Sequence, residues 1–209
     1  MLVKIQNQTF EFHPSGAAFW KEQHMLLISD VHLGKISHFR KHGSAVPYKA
    51  IGRNFQQLSA VVKYFRPEKI CFLGDLFHSA LNAEWQLFEE WVKTISAEVL
   101  LIAGNHDIIS PLKYEAIGIQ VHEEMITEGF LLTHHPEERE GFYNICGHIH
   151  PGYRLIGRGR QVLKLPCFYK SRSQLILPAF GEFTGNYILK PSEQDQVFAL
   201  TGQEVIRVF

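Results

Sequence analysis

The 209-residue chain lacks most of what would tie it to a membrane, a secretory route or a disulfide scaffold. It has only three cysteines, Cys71, Cys146 and Cys167, and no CxxC pair among them. Cys71 and Cys146 lie inside apolar runs, where buried free thiols are expected, and a reducing compartment suits them. No apolar run approaches the roughly 18 residues of a membrane helix. The first twenty residues carry Lys4, Glu11 and His13 in an alternating pattern, which is not that of a signal peptide. A soluble, cytoplasmic protein is the expectation. No repeat, low-complexity tract or linker interrupts the chain, so residues 1–209 are expected to form one domain. That length buries about 70% of its unfolded surface without a staple. Net charge is absent too, with 21 Lys and Arg against 21 Asp and Glu, but the signs are unevenly spread. Between Glu140 and Glu182 there is no acid, while Arg154, Arg158, Arg160, Lys164, Lys170 and Arg172 all fall there. Such asymmetry points to an anionic partner; a hairpin with solvated charges is the alternative.

What the sequence does have is a recurring pattern. The apolar run from Met25 stops on Asp30, with His32 two residues on. Further runs end on Asp75, on Asn105-His106-Asp107, on His134, and on His148 and His150. Short apolar runs bounded by glycine and turn residues read as buried strands. Ligands of open α/β sheets sit beyond the carboxyl ends of the strands, so the five runs are expected to converge on a metal site.

Around these runs, residues 2–13 alternate like an edge hairpin. A helix opening at Pro47 carries the stripe Ile51, Phe55, Leu58, Val62 and Phe65, and a second, capped by Asn82, carries Trp85, Phe88, Val92 and Ile95. Strand, helix, strand, helix, strand predicts parallel βαβ units. After residue 118 short strand candidates follow at 119–122, 125–127, 130–133, 144–146, 162–168, 175–177, 187–189, 197–200 and 205–209. Glu128-Gly129 and Thr201-Gly202 read as hairpin turns. The expected fold is α/β: a two-sheet β-sandwich flanked by helices.

The candidate ligands are Asp30, His32, Asp75, Asn105, His134, His148 and His150. Mixed carboxylate, imidazole and amide donors suit Mn²⁺, Fe²⁺ or Zn²⁺. Seven are too many for one tetrahedral ion and suit two ions sharing a carboxylate. Such pairs, about 3.5–4 Å apart, clamp the attacking and leaving oxygens of an in-line displacement.

Asp30-Val31-His32, Gly74-Asp75 with His78, Gly104-Asn105-His106-Asp107, His134 and Gly147-His148-Ile149-His150 resemble the five motifs of the calcineurin-like metallophosphoesterases, in that family's order. The resemblance implies a two-metal enzyme. Asp30, His32, Asp75 and His150 would hold one ion, and Asp75, Asn105, His134 and His148 the other. A narrower likeness takes in His32-Leu33-Gly34-Lys35, Leu73 to Ser79, Thr133-His134-His135-Pro136, Gly147 to Pro151, Leu177 to Gly181 and Phe183-Thr184-Gly185. These are similar to the bacterial ligase-associated DNA damage response endonucleases of the PdeM type, except that Asn186 stands where a second glycine is expected. That likeness implies a DNA endonuclease of repair and association with a DNA ligase and a helicase; of the ions the donors suit, Mn²⁺ is expected before Fe²⁺ or Zn²⁺. Double-strand-break repair nucleases of the superfamily carry the same Gly-Asp-Leu-Phe-His string, which makes His78 a second active-site histidine.

Two divalent ions against two carboxylates leave the site about two charges positive, which suits a phosphate. Bound water has its pKa lowered toward 7 and becomes the nucleophile. His106 is assigned to the leaving oxygen, with Asp107 orienting its ring. Lys35, Arg40, Arg158 and Arg160 are the candidate substrate contacts. His38, Lys41 and His42 fit either a phosphate grip or a wet helix face. His13, His24 and His122 have no motif context. His135 should face away from its neighbour His134, because adjacent strand residues do. Tyr143, Tyr153, Phe168, Tyr169, Phe180 and Phe183 read as packing before base stacking. Nucleotide phosphodiesterase, pyrophosphatase and phosphoprotein phosphatase are the other enzyme readings, and a phosphoesterase-fold binding subunit is the non-enzyme one. The complete ligand set favours an enzyme. Oligomeric state is not legible.

Overall fold

The computed structural model describes residues 1–35, 49–78, 81–157, 159, 161–181 and 184–209. Arg40, Arg158 and Arg160, with His38, Lys41, His42, Pro47 and Phe183, lie outside the described residues. Seven strands form the first sheet in sequence order: β1 (Leu2–Ile5), β2 (Gln8–Phe12), β3 (Ala18–Trp20), β4 (Met25–Ile28), β5 (Lys69–Leu73), β6 (Glu98–Ile102) and β7 (Ile119–His122). The first four pair antiparallel, and β4 to β7 pair parallel. The parallel crossovers contain α1 (Lys49–Phe65), α2 (Ala83–Lys93) and α3 (Pro111–Glu115). The second sheet comprises β8 (Met125–Thr127), β9 (Phe130–Leu132), β10 (Tyr143–Cys146), β11 (Pro151–Ile156), β12 (Val162–Lys170), β13 (Gln174–Ile176), β14 (Tyr187–Ile188), β15 (Gln196–Leu200) and β16 (Val205–Arg207). Its order is β14-β11-β12-β13-β10-β9-β8, with β15 beside β12 and β16 beside β15.

The sheets pack face to face, so the expected sandwich forms. Val3, Phe10, Trp20, Leu27, Cys71 and Ile102 on one side meet Phe130, Ile145, Phe168, Leu175 and Phe198 on the other. Phe12 stacks on Phe168 with ring centroids 4.1 Å apart. The outer face of the first sheet buries Leu26, Ile28, Phe72 and Leu101 against Leu58 and Val61 of α1 and Phe88 and Trp91 of α2. Strands β4 to β6 are thus covered on both faces, which is why they read as continuous apolar runs rather than alternations. Trp91 Nε1 donates to Ser59 Oγ at 3.1 Å and ties the two helices together. Asn82 caps α2 as expected, its Oδ1 accepting from Glu84 N at 2.8 Å. Buried Glu84 then accepts from Gly34 N at 2.7 Å, fixing α2 to the loop after β4.

Two hairpin turns use left-handed backbone pairs: Glu128-Gly129 at φ 50° and 79°, as the sequence predicts, and Gln6-Asn7 at 49° and 64°. Three elements carried no sequence signal. β3 is three residues long, α3 is little more than one turn, and β11 opens on Pro151-Gly152 with its apolar residues interrupted by Arg154.

Candidate active site

β4, β5 and β6 run parallel in one sheet and β9 and β10 run parallel in the other, so their carboxyl ends form a common rim. There the backbone turns sharply. Asp30, His32, Asp75, His148 and His150 have φ of 54°, 52°, 51°, 65° and 50°. A left-handed conformation costs an ordinary residue about 1–2 kcal/mol, and strain of this kind collects at functional sites. The ladder between β4 and β5 continues through the turns: Asp30 N donates to Gly74 O at 3.1 Å, His32 N to Asp75 O at 3.0 Å and Leu33 N to Leu76 O at 2.8 Å. Continued pairing supports the strained residues and swings the Asp30, His32 and Asp75 side chains onto one rim.

All seven expected ligands meet there. Asp30 Oδ2 accepts from Ser29 Oγ and from His148 N at 3.0 Å. Asp30 Oδ1 lies 3.1 Å from His150 Nε2. Asp75 stands between two groups: its Oδ2 is 3.3 Å from His32 Nε2, and its Oδ1 is 3.4 Å from His134 Nε2. His134 Nε2 is also 3.1 Å from Asn105 Oδ1 and 3.2 Å from His148 Nδ1. The ligand atoms of Asp30, His32 and His150 lie within 4.8 Å of one another, as do those of Asp30, Asp75 and His134. The residues fit a divalent cation. The donors are oxygen and nitrogen, and among the described residues Asp30 Oδ1 and His150 Nε2 are buried beside each other with no hydrogen bond. His134 Nδ1 donates to Leu73 O at 2.9 Å, which leaves Nε2 facing the cluster. His32 Nδ1 has Thr184 Oγ1 at 3.2 Å.

The electrostatics of the rim follow from burial and pairing. Burial alone would raise the Asp75 carboxyl, but hydrogen bonds from His134 and His32 and the His134 charge hold it far below the usual range. Burial lowers His32, and only partly do Asp75 and Asp30 counter it. For His134 the hydrogen bond and charge of Asp75 outweigh burial and raise the imidazole. Lys35 is half-buried; desolvation lowers its ammonium while Asp30 and Asp75 oppose the shift.

His78 and His106 sit side by side with ring centroids 4.8 Å apart, 5.6 and 5.9 Å from the His32 ring. His106 N donates to Asp75 Oδ1 at 2.9 Å, so the loop carrying it is keyed to the shared carboxylate. Asp107 does something other than orient the His106 ring. Its two oxygens accept from Phe77 N at 3.1 Å and Gly104 N at 2.9 Å, clamping the loops after β5 and β6 together. Burial pushes its carboxyl up to about 6, against the pull of those two amides.

His135 also differs from expectation. Its ring lies 4.0 Å from that of His148 and 4.8 Å from that of His134, on the same side. β9 has ended at Leu132, and Thr133 Oγ1 donates to His135 O at 2.6 Å, so strand alternation no longer governs the residue. Sequence reasoning also passed over Ser29, Thr184 and the role of Gly147. A Cβ on Gly147 would collide with Ser29 Oγ and Asp30 Oδ2, so only glycine lets the last two strand ends close on the first. The remaining described histidines stay out: His13 pairs with Ser15 and packs on Tyr64 and Phe65, and neither His24 nor His122 joins the cluster. Tyr143, Phe168 and Phe180 are buried packing residues, as read.

A sandwich whose parallel strands end in an aspartate shared between two imidazole groups is that of a metal-dependent phosphoesterase. The chain belongs to the calcineurin-like phosphoesterase family, whose sequence pattern matches residues 24–198. Its fold is similar over 100% of its length, and 99% of the other chain's, to the crystal structure of the Pseudomonas putida nuclease MPE, with a TM-score of 0.84 and 29% identity. A 50-residue segment, 24% of this chain, is 38% identical to a protein of Arcobacter nitrofigilis named probable glycerophosphodiester phosphodiesterase GpdQ, and spans 18% of that protein.

Proposed function

We propose that the protein is a phosphodiesterase of nucleic acid, a DNA endonuclease of repair that works with two divalent ions, Mn²⁺ before Fe²⁺ or Zn²⁺. The observation that carries this is the gathering of all seven candidate ligands around Asp75 with His78 and His106 paired beside it. The full-length likeness to a nuclease supports the choice of substrate. Asp30, His32, Asp75 and His150 would hold one ion, and Asp75, Asn105, His134 and His148 the other. Such ions supply positive charge to the phosphate and acidify a water.

The rest falls to the chain's own groups. Asp75 keeps the two sets of imidazoles in register. His106 holds a proton at its imidazole for the departing oxygen, and Asp107 fixes the loop that aims it. His78, its ring tilted beside that of His106, would border the same oxygen. Lys35 adds a cation at the edge of the carboxylates. Association with a DNA ligase and a helicase belongs to this reading through the sequence resemblance, and a cytoplasmic location through the free cysteines.

The test is turnover with Mn²⁺ on single-stranded DNA, bis-p-nitrophenyl phosphate and p-nitrophenyl phosphate. The diesters are expected to turn over faster than the monoester. Equal or faster monoester turnover by pure enzyme would make the protein a phosphatase instead.

A further inference from the structure

We propose that the β11–β12 hairpin is an arm that binds nucleic-acid phosphates away from the scissile one, through Arg154 and Lys164. This rests on the nucleic-acid reading above and adds where the strand runs.

The topology gives the arm its direction. β13 runs parallel to β10, whose carboxyl end carries His148 and His150, and β12 runs antiparallel to β13. The first half of β12 therefore lies at the rim. β11 is antiparallel to β12, so it leaves His150 in the direction in which β10 was heading. The second half of β12, Cys167 to Lys170, is held in the sheet by β15, and Tyr169 and Lys170 by β13 as well. The first half pairs only with β11 among the described residues. The hairpin thus projects past the rim, and Gly157 N closes its tip on Gln161 O at 2.9 Å.

The register gives the arm its chemistry. Arg154 stands directly opposite Lys164, and Ile156 opposite Val162. Side chains alternate along a strand, so Lys164 shares a face with Phe168, which is buried in the core between the two sheets. That face looks across the rim toward the first sheet, from which Asp75, Asn105 and His106 come. At about 3.3 Å per residue, Arg154 lies on the order of 13 Å beyond His150. A substrate confined to the ligand cluster is too short to reach it, whereas a strand with several phosphates is not.

The charges also need a counterpart. Arg154 and Lys164 are exposed, and neither has an ion pair among the described residues. Like charges directly opposite in an antiparallel pair are destabilising, and a hairpin needing only solubility gains from opposite signs there. Here two cations face each other within a stretch that has no acid from residue 141 to 181. A polyanion crossing that face removes the repulsion. The stretch is not one surface, however. Arg172 lines a cavity of about 460 Å³ with Gln6 and Glu128 at the opposite end of the sandwich, far from the rim. The arm accounts for Arg154 and Lys164 alone among the described cations.

The experiment compares KM for a dinucleotide and for a 30-nucleotide single strand with Mn²⁺ bound, over a series of salt concentrations. Wild-type KM should fall with length. In R154A/K164A the ratio of the two KM values should shrink about tenfold, as expected for losing charged contacts. The slope of log affinity against log salt for the 30-mer should flatten by about 1.4, two contacts at about 0.7 each. R154K/K164R should restore both. A variant that melts like the wild type and matches it in KM ratio and salt slope overturns the arm while leaving the nuclease reading intact. A wild-type enzyme that hydrolyses bis-p-nitrophenyl phosphate but neither binds nor cuts the 30-mer overturns the nucleic-acid reading, and the arm with it.

Discussion

The two ends of the sandwich are made from the same strands under opposite constraints. At the amino end of the parallel strands left-handed backbone serves to turn the chain, with His24, Arg66 and Glu128 at φ of 47°, 48° and 50°. Gly129 takes φ 79° in open space, where an added Cβ would meet nothing within 4 Å. At the carboxyl end five candidate ligands hold left-handed backbone to aim their side chains, and an added Cβ on Gly147 would strike Ser29 and Asp30. The first end uses such backbone only to reverse the chain. The second spends conformational energy on aiming side chains, and the pairing of Asp30, His32 and Leu33 with the loop after β5 supports it.

Breaking the carboxyl end at its centre should have the largest effect. Asp75→Ala removes the one carboxylate in contact with His32, His134 and the His106 amide, so both ions should be lost and turnover should fall to background. Metal analysis of the purified variant that still finds two ions would remove Asp75 from the shared position. Next, His106→Ala should keep both ions and lose about 10²–10⁴ in turnover, the range for a positioned acid or base. The loss should be smaller for a p-nitrophenolate leaving group, which needs little protonation. Similar losses on good and poor leaving groups would deny His106 its proton.

The glycines sharpen the contrast. Gly147→Ala forces Ser29 and Asp30 to move, so it should destabilise the fold by about 1–3 kcal/mol, the cost of overpacking, and weaken metal binding as well. Calorimetry and Mn²⁺ titration on one preparation read both. Gly129→Ala at the far end should cost about 1 kcal/mol through backbone strain alone and leave Mn²⁺ affinity and turnover as they were. If the two substitutions weaken metal binding equally, the division between the ends is not real.

Much of the rim was legible because each ligand ends an apolar run, and burial on both faces leaves such runs unbroken from β4 to β6. Asp30, Asp75 and His134 could be placed from that signal and from motif order. What was not legible depends on the path of the chain after the strand stops. Alternation put His135 on the far side, yet the Thr133 hydroxyl bends the chain and brings the ring beside His148. Asp107 follows His106 in sequence, and that adjacency suggested a partner for the ring; its oxygens are taken by amides from two loops. β11 escaped notice because a projecting strand has no core to bury, so its residues carry no pattern a core would impose. The same reason makes Arg154 and Lys164 visible only once their register is known.

Distance along the chain also sets when the site can exist. Asp30 contacts the His148 amide across 118 residues, and His32 meets Thr184 across 152. At about 5–20 residues per second, a ribosome makes His148 some 6–24 s after Asp30 and Thr184 some 8–30 s after His32. Through that interval Asp30 and His32 have the partners that the loop after β5 supplies but not these later ones. Phe180 and Gly181, whose amides bond to Ser29 O and Asp30 O, emerge late as well. The full set of candidate ligands is therefore assembled only late in synthesis, and a nascent chain stalled before residue 148 holds Asp30, Asp75 and His134 without His148 and His150.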